Sequence, residues 1–290
     1  MLIKRSFAVS NITLCPSVIV LFCWMIIPLG MTIYFSTLRY NLLNPGMEHW
    51  IGLDNYYYFI QHPAFIEAIF NTLWLLIGVL LITLFFGVSI ALLLEQPVFG
   101  RSVVRVLIIS PFFVMPTVSA LIWKNLMMNP VNGLLAHLMN SIGLDPIHFF
   151  GSHPMWAIII IVSWQWTPFA ILILITALQS LDSNQIHAAQ IDGANYWQRL
   201  RYIVLPHLKR SMAAVLLIET IFILSVFAEI LVTTNGGPGF ATTNITFLIY
   251  AQSLLNFDVG VGAAGGVIAV ILANIVSLFL IRMIGKNLDT

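Results

Sequence analysis

Charge is what this sequence has least of. Only 8% of its 290 residues are Asp, Glu, Lys or Arg, against 60% hydrophobic, which is too little charge to cover a soluble globule of this length. Cysteine is almost absent too. The two present, Cys15 and Cys23, fall eight apart in one apolar run, where a helix keeps them from bridging. They read as packing residues and say nothing about redox compartment. The histidines are scattered, with no i, i+4 pair beside a carboxylate, so a catalytic metal site is not expected. A G-x-x-x-x-G-K-[ST] stretch is missing, so the chain carries no sign of its own ATP site.

What the sequence does have is apolar length. About 20 residues of helix cross a hydrocarbon core of about 30 Å, and runs of that length lie near 14–36, 69–94, 104–127, 156–180, 212–233 and 260–284. Lipid offers backbone amides no partners, so each run is expected to be an α-helix. The expectation is an all-α polytopic membrane protein with six transmembrane helices in a single domain, 1–290. Six spans place both termini on one side. Lys4, Arg5, Arg101, Arg105, Arg199, Arg201, Lys209, Arg210, Arg282 and Lys286 share that side, against Arg39 and Lys124 opposite. The positive-inside bias makes the richer side cytoplasmic. The first run is longer than a signal peptide, holds Pro16 and Pro28, and lacks a small-residue cleavage site, so a retained helix is expected.

Several motifs read as packing rather than chemistry. Gly260, Gly262 and Gly265 spell G-x-G-x-x-G, but no strand precedes them, which rejects a dinucleotide site. Gly262 and Gly266 instead suggest a small-xxx-small face for close helix approach. The sequons at Asn11 and Asn244 read as chance. The segment from Ile245 to Asp258 is too short to span and reads as re-entrant or interfacial, after a loop broken by Gly236, Gly237, Pro238 and Gly239. No internal repeat of the secondary-transporter kind is evident.

Two acids lie within the fifth run, where a carboxylate is costly and faces the bundle interior or a wet cavity. Glu219 reads as a structural hydrogen-bonder between helices; Glu229 fits either that role or a place near a permeation path. In the fourth run, Trp164, Gln165, Trp166 and Thr167 precede Pro168, which removes a backbone donor and frees a carbonyl. Aromatic faces beside amide and hydroxyl groups suit a neutral polyhydroxylated molecule; tryptophans packed in core or lipid are the plain alternative.

One polar, basic stretch interrupts the apolar runs: IHAAQIDGANYWQRLRYIVLP, from Ile186 to Pro206. Asp182 and Gln185 have capping-box spacing, so a helix is expected to start there. Ile186, Ala189 and Gln190 share one side of it, Ala188 and Ala189 keep it thin, and Gly193 permits a sharp exit. Trp197, Leu200 and Val204 then line one face of a second, amphipathic helix, which Pro206 is expected to end. Two short helices hinged at a glycine make a docking device.

These residues resemble a known family. AAQIDGA, with LP twelve residues beyond Gly193, is similar to the cytoplasmic EAA loop of permease subunits of binding-protein-dependent ABC importers. GLDNY at Gly52, Asn71-Thr72, WTPF at Trp166 and VTTNGGPGFATTN at Val232 resemble the carbohydrate branch typified by maltose permeases. RYNLLNPGMEHW, SPFFVMPTVSALIWKN and RMIGKNLDT look closer still to sorbitol and mannitol permeases. The resemblance implies a type I ABC importer permease fold in the inner membrane, and a translocating subunit rather than an enzyme. It implies four kinds of partner: a second homologous permease, two ATP-binding subunits that use ATP and Mg, a solute-binding protein and a sugar or polyol. No nucleic acid and no cofactor of the chain's own are expected. His187, Ala188, Ala189, Asp192, Gly193 and Ala194 would form the ATPase-coupling element within a loop 182–210, with His187 standing where the family usually has glutamate. Trp164, Gln165, Thr167 and Glu229 are the candidates for the substrate path, and the loop from Asn235 to Asn244 would face the binding protein. The rival is an ion-coupled secondary transporter, which would need a relay of intramembrane ionisable groups.

Overall fold

The computed structural model describes the backbone of residues 2–95 and 100–288, and the side chains of 16–95 and 102–282. The side chains of Lys4, Arg5, Asn11, Thr13, Cys15, Arg101 and Lys286, and the closing residues 289–290, lie outside the described residues. The chain is helical nearly throughout. In order the helices are α1 (Leu2–Ser36), α2 (Asp54–Ile60), α3 (Phe65–Glu95), α4 (Arg101–Ile109), α5 (Pro116–Ile122), α6 (Leu134–Ser141), α7 (Phe149–Ser152), α8 (Pro154–Gln179), α9 (Ser183–Ile191), α10 (Tyr196–Arg199), α11 (Leu205–Ile223), α12 (Ala228–Thr233), α13 (Ile245–Tyr250) and α14 (Val259–Leu288). A two-stranded antiparallel ribbon, β1 (Leu38–Arg39) with β2 (His49–Trp50), follows α1.

Among the described residues, four helices are long and apolar enough to cross a membrane: Pro16–Ser36 of α1, all of α3 and α8, and Val259–Arg282 of α14. The run expected as one straight helix over 104–127 is instead a bent pair, Ser102–Phe113 and Pro116–Met127, turned by 106°. Proline holds its predecessor extended, and Met115 before Pro116 is extended at φ −60°, ψ 139°. The carbonyl freed at Val114 accepts a hydrogen bond from Gln165 Nε2 at 2.8 Å. The run expected over 212–233 also divides, α11 ending at Ile223 and α12 starting at Ala228. Here neither Gly nor Pro makes the break. Thr246 Oγ1 donates to the Leu224 carbonyl at 2.9 Å and Asn244 Nδ2 to that of Val226 at 2.7 Å. Irregular backbone survives at membrane depth where protein groups satisfy it in this way.

Packing divides the chain into two compact units that no composition shift marks: Met1–Phe65 with Leu248–Val270, and Ile66–Phe247 with Ile271–Thr290. In the first, Asn55 is buried and its Nδ2 donates to the carbonyls of Ser36 (2.9 Å) and Leu38 (2.7 Å), fixing the exit from α1. Asn41 pairs with Asp258, and the Gly260 N–H donates to the Tyr40 carbonyl at 3.0 Å. The three glycines of the G-x-G-x-x-G pattern all sit at close approaches. A Cβ on Gly260 would meet the Leu38 carbonyl, one on Gly262 the Ser253 side chain, and one on Gly265 the Phe59 ring. Gly266, the expected partner of Gly262, has among the described residues only Thr32 Cγ2 nearby, at an ordinary 3.6 Å. The pattern is a packing device, but through Gly265 rather than Gly266.

In the second unit α8 is the central helix, buried along most of its length. Gly78 and Gly87 let α3 lie close against it at Ile159 and Ala170. α11 packs along α8, and α5 packs on α12. The buried Glu219 of α11 accepts from Thr83 Oγ1 of α3 at 2.6 Å, so it joins two helices as the sequence suggested. Lys124 Nζ donates to the Val232 carbonyl at 2.9 Å, a cation on the last turn of α12.

Candidate coupling and translocation sites

The segment between α8 and α11 is built from local signals. Asp182 caps α9, its Oδ1 accepting from the Asn184 N–H at 2.9 Å. The expected reciprocal bond from Gln185 does not form; the reciprocal capping box stands one helix later. There Asn195 Oδ1 accepts from the Gln198 N–H at 2.9 Å and Gln198 Oε1 from the Asn195 N–H at 2.8 Å.

α9 ends in a Schellman turn. The Ala194 N–H reaches the Ala189 carbonyl at 2.9 Å and the Gly193 N–H that of Gln190 at 3.1 Å, with Gly193 left-handed at φ +81°. A Cβ on Gly193 would have nothing within 4 Å among the described residues. Its requirement inside this chain is therefore conformation, not space. His187 and Ala188 are exposed, Ala189 and Ala194 half-buried, and Asp192 is the exposed C-cap. The six residues thus form one short helix and its turn, with Ile191 87% exposed at the end.

The second helix departs from expectation in two ways. Leu200 and Val204 pack into the core, but Trp197 is 73% exposed, because the wide turn over Leu200–Val204 shifts the register of the face. Pro206 does not end the helix. It stands at the start of α11, directly after the wide turn over Leu200–Val204, in a helical run that continues unbroken from Tyr196.

The segment is rooted in one apolar cluster. Val204 and Leu208 are buried with Ile171, Leu174, Ile175 and Leu178 of α8 and with Ala91 and Leu94 of α3. A hydrogen bond joins its two stems: His207 Nε2 lies 2.9 Å from the Ala177 carbonyl.

The candidate substrate-path residues are spread over two helices. On α8, Trp164 is half-buried, edge-on to Trp123 at 5.8 Å. Gln165 is buried with an amide N–H spent on Val114 and its Oε1 without a partner among the described residues. Thr167 Oγ1 donates to the Ser163 carbonyl at 2.6 Å, one turn back. Glu229 is buried in the first turn of α12, which packs against α8. Sequence reading passed over the ring cluster around Trp166, whose ring lies 4.9 Å from Phe222 and 5.6 Å from Phe112. It also passed over the bracing of the 235–244 loop, where Asn71 Nδ2 donates to the carbonyls of Phe240 (2.9 Å) and Thr243 (3.0 Å). The prolines at 111 and 116 were the available signal for the break beside that ring cluster.

Among known proteins, the family described as "Binding-protein-dependent transport system inner membrane component" matches residues 9–290. The chain is 34% identical over 260 residues to the trehalose/maltose transport system permease protein MalF of Thermococcus litoralis, covering 89% of this chain and 87% of that one. It is 28% identical over 259 residues to the trehalose transport system permease protein SugA of Mycobacterium tuberculosis, covering 89% and 82%. It superposes with a TM-score of 0.80 and 26% identity on a chain of a bacterial alginate ABC transporter in complex with alginate pentasaccharide-bound periplasmic protein, covering 99% and 97%. The shared fold is the type I importer permease fold. The chain belongs to the inner-membrane components of binding-protein-dependent transport systems, the permease subunits of ABC transporters, which are not themselves enzymes.

Proposed function

We propose that the chain is one of two related permeases in an importer that carries a sugar or sugar alcohol across the bacterial inner membrane. Two ATP-binding subunits and a solute-binding protein complete the assembly, and both termini are cytoplasmic. The observation that carries the reading is the α9 segment. It is short, made thin by Ala188 and Ala189, and turned sharply at Gly193, and it leaves Ile191 and Trp197 exposed outside the apolar spans. A thin helix with a sharp exit and apolar side chains at its end suits burial in a cleft of a protein partner. His187, Ala188, Ala189, Asp192, Gly193 and Ala194 dock on the ATPase, whose closure on ATP moves the α8 and α11 stems and switches access.

The relatives named for trehalose, maltose and alginate support a carbohydrate. The stretches RYNLLNPGMEHW and SPFFVMPTVSALIWKN support a polyol within that class. Trp164 and the Trp166 cluster offer ring faces, and the side chains of Gln165, Thr167 and Glu229 are the polar groups proposed beside them.

The test is to tag the chain, solubilise it gently and identify what co-purifies, then titrate the recovered binding protein with sorbitol, mannitol, maltose and trehalose by calorimetry. Recovery of an ATPase, a second permease and a polyol-binding protein is expected. Binding of disaccharides alone would remove the polyol assignment. A chain that purifies alone, under conditions that keep related complexes whole, would overturn the importer reading in favour of an ion-coupled transporter.

A further inference from the structure

We propose that His207 is a positioning residue that fastens the two stems of the α9–α10 segment together, so that a displacement of α9 reaches α8 and α11 as one movement. The inference rests on the coupling role given to that segment above.

His207 Nε2 lies 2.9 Å from the Ala177 carbonyl and 3.2 Å from Ser180 Oγ, and Ser180 Oγ itself donates to the same carbonyl at 2.8 Å. A carbonyl oxygen only accepts, so a ring nitrogen this close must carry its proton. Geometry therefore sets the donor at Nε2. Ala177 belongs to the last turn of α8, whose carbonyls have no intrahelical donor. The neighbouring Ser180 N–H supplies one at 3.1 Å, and His207 adds another from 30 residues further on. The bond thus closes the base of the loop that carries α9.

The stems meet through two kinds of contact with different mechanical character. Leu178 of α8 is buried with Val204 and Leu208 in the apolar cluster. Such contact is non-directional and permits small slides along the helices at little cost. The His207 bond is directional and weakens steeply with misalignment, so it sets the register between the stems. His207 itself is exposed and lies outside the buried core of the described residues. A side chain on the surface that bonds across the root of a moving loop serves the loop rather than the core.

The experiment uses the whole complex of permease pair, ATPase pair and binding protein in lipid nanodiscs, with MgATP and the binding protein as probes. The readout is the ratio of ATP hydrolysis with binding protein to that without it, alongside the amount of ATPase that co-purifies. For His207→Ala the ATPase co-purifies as in the parent chain and the ratio falls roughly fivefold, the factor a single lost hydrogen bond carries. His207→Gln, whose amide N–H can stand where Nε2–H stands, regains the ratio. A His207→Ala ratio within about twofold of the parent, or a His207→Gln variant that fails to regain it, overturns the proposal. Where His207→Ala does not assemble, His207→Gln decides alone: assembly with a parental ratio supports the bond, and any other result overturns it. Gly193→Trp is run beside them. Should that variant keep both ATPase and ratio, the coupling reading fails, whatever His207 does.

Discussion

A series at Gly193 separates what the backbone needs from what a docked partner needs. Gly193 sits at φ +81° with nothing within 4 Å of a Cβ among the described residues, so a substitution meets conformational strain but no clash with them. For alanine the left-handed conformation costs about 1–2 kcal/mol, and asparagine tolerates it better. If α9 docks only with the Schellman turn formed, that strain is set against docking: the apparent ATPase affinity falls roughly fivefold to thirtyfold for Gly193→Ala and stays nearer the parent for Gly193→Asn. Tryptophan adds to the same strain a ring projecting where the partner would lie, and its docking falls below detection. The assay is titration of purified ATPase subunit onto nanodisc-embedded permease pair, read by a fluorophore on the ATPase. Equal losses for Ala and Trp would show that no surface closes over this turn. A parental affinity for Ala would show that the turn is not needed for docking.

Four further outcomes follow from the same geometry. Asn244→Ala removes the donor to the buried Val226 carbonyl; its loss costs about 1–3 kcal/mol, read as a lower melting temperature in detergent. Gly265→Ala drives a methyl into the Phe59 ring and lowers stability by about 1–3 kcal/mol, partly restored by Phe59→Leu. Burial holds His62 below its ordinary value, and its Nδ1 accepts from the Ala64 N–H at 3.1 Å. Its neutral form favours the fold above the unfolded pKa of 6.5, and that contribution is lost as pH falls from there toward the depressed folded value; His62→Gln should flatten melting temperature against pH in that window. His187→Glu places a fixed anion on exposed α9 and is expected to preserve or strengthen binding-protein-stimulated ATP hydrolysis; a loss would show that the partner presents no cation there.

Local chemistry was the legible part. Asp182 and Gly193 bound α9 in the sequence as they do in the fold, because capping and the left-handed stop act over a few residues. The register of the second helix was not legible: a wide turn over Leu200–Val204 separates the exposed Trp197 from Val204 and Leu208, which are seated in the apolar cluster. The substrate-path candidates divide in the same manner. Trp164, Gln165 and Thr167 follow from a single helix, whereas the use of Gln165 on the Val114 carbonyl depends on a break fifty residues earlier in the chain.

By itself the sequence determined the solvent, the helical class, the apolar runs and the thin polar segment, since hydropathy and capping are properties of neighbours along the chain. Only the tertiary structure decided which runs stay straight and which divide. The break between α11 and α12 is held by Asn244 and Thr246, side chains that reach it only after the chain has turned back. It likewise decided that Gly265, not Gly266, meets a neighbour closely and that His207 closes the root of the α9 segment, because both depend on distances between residues far apart in sequence.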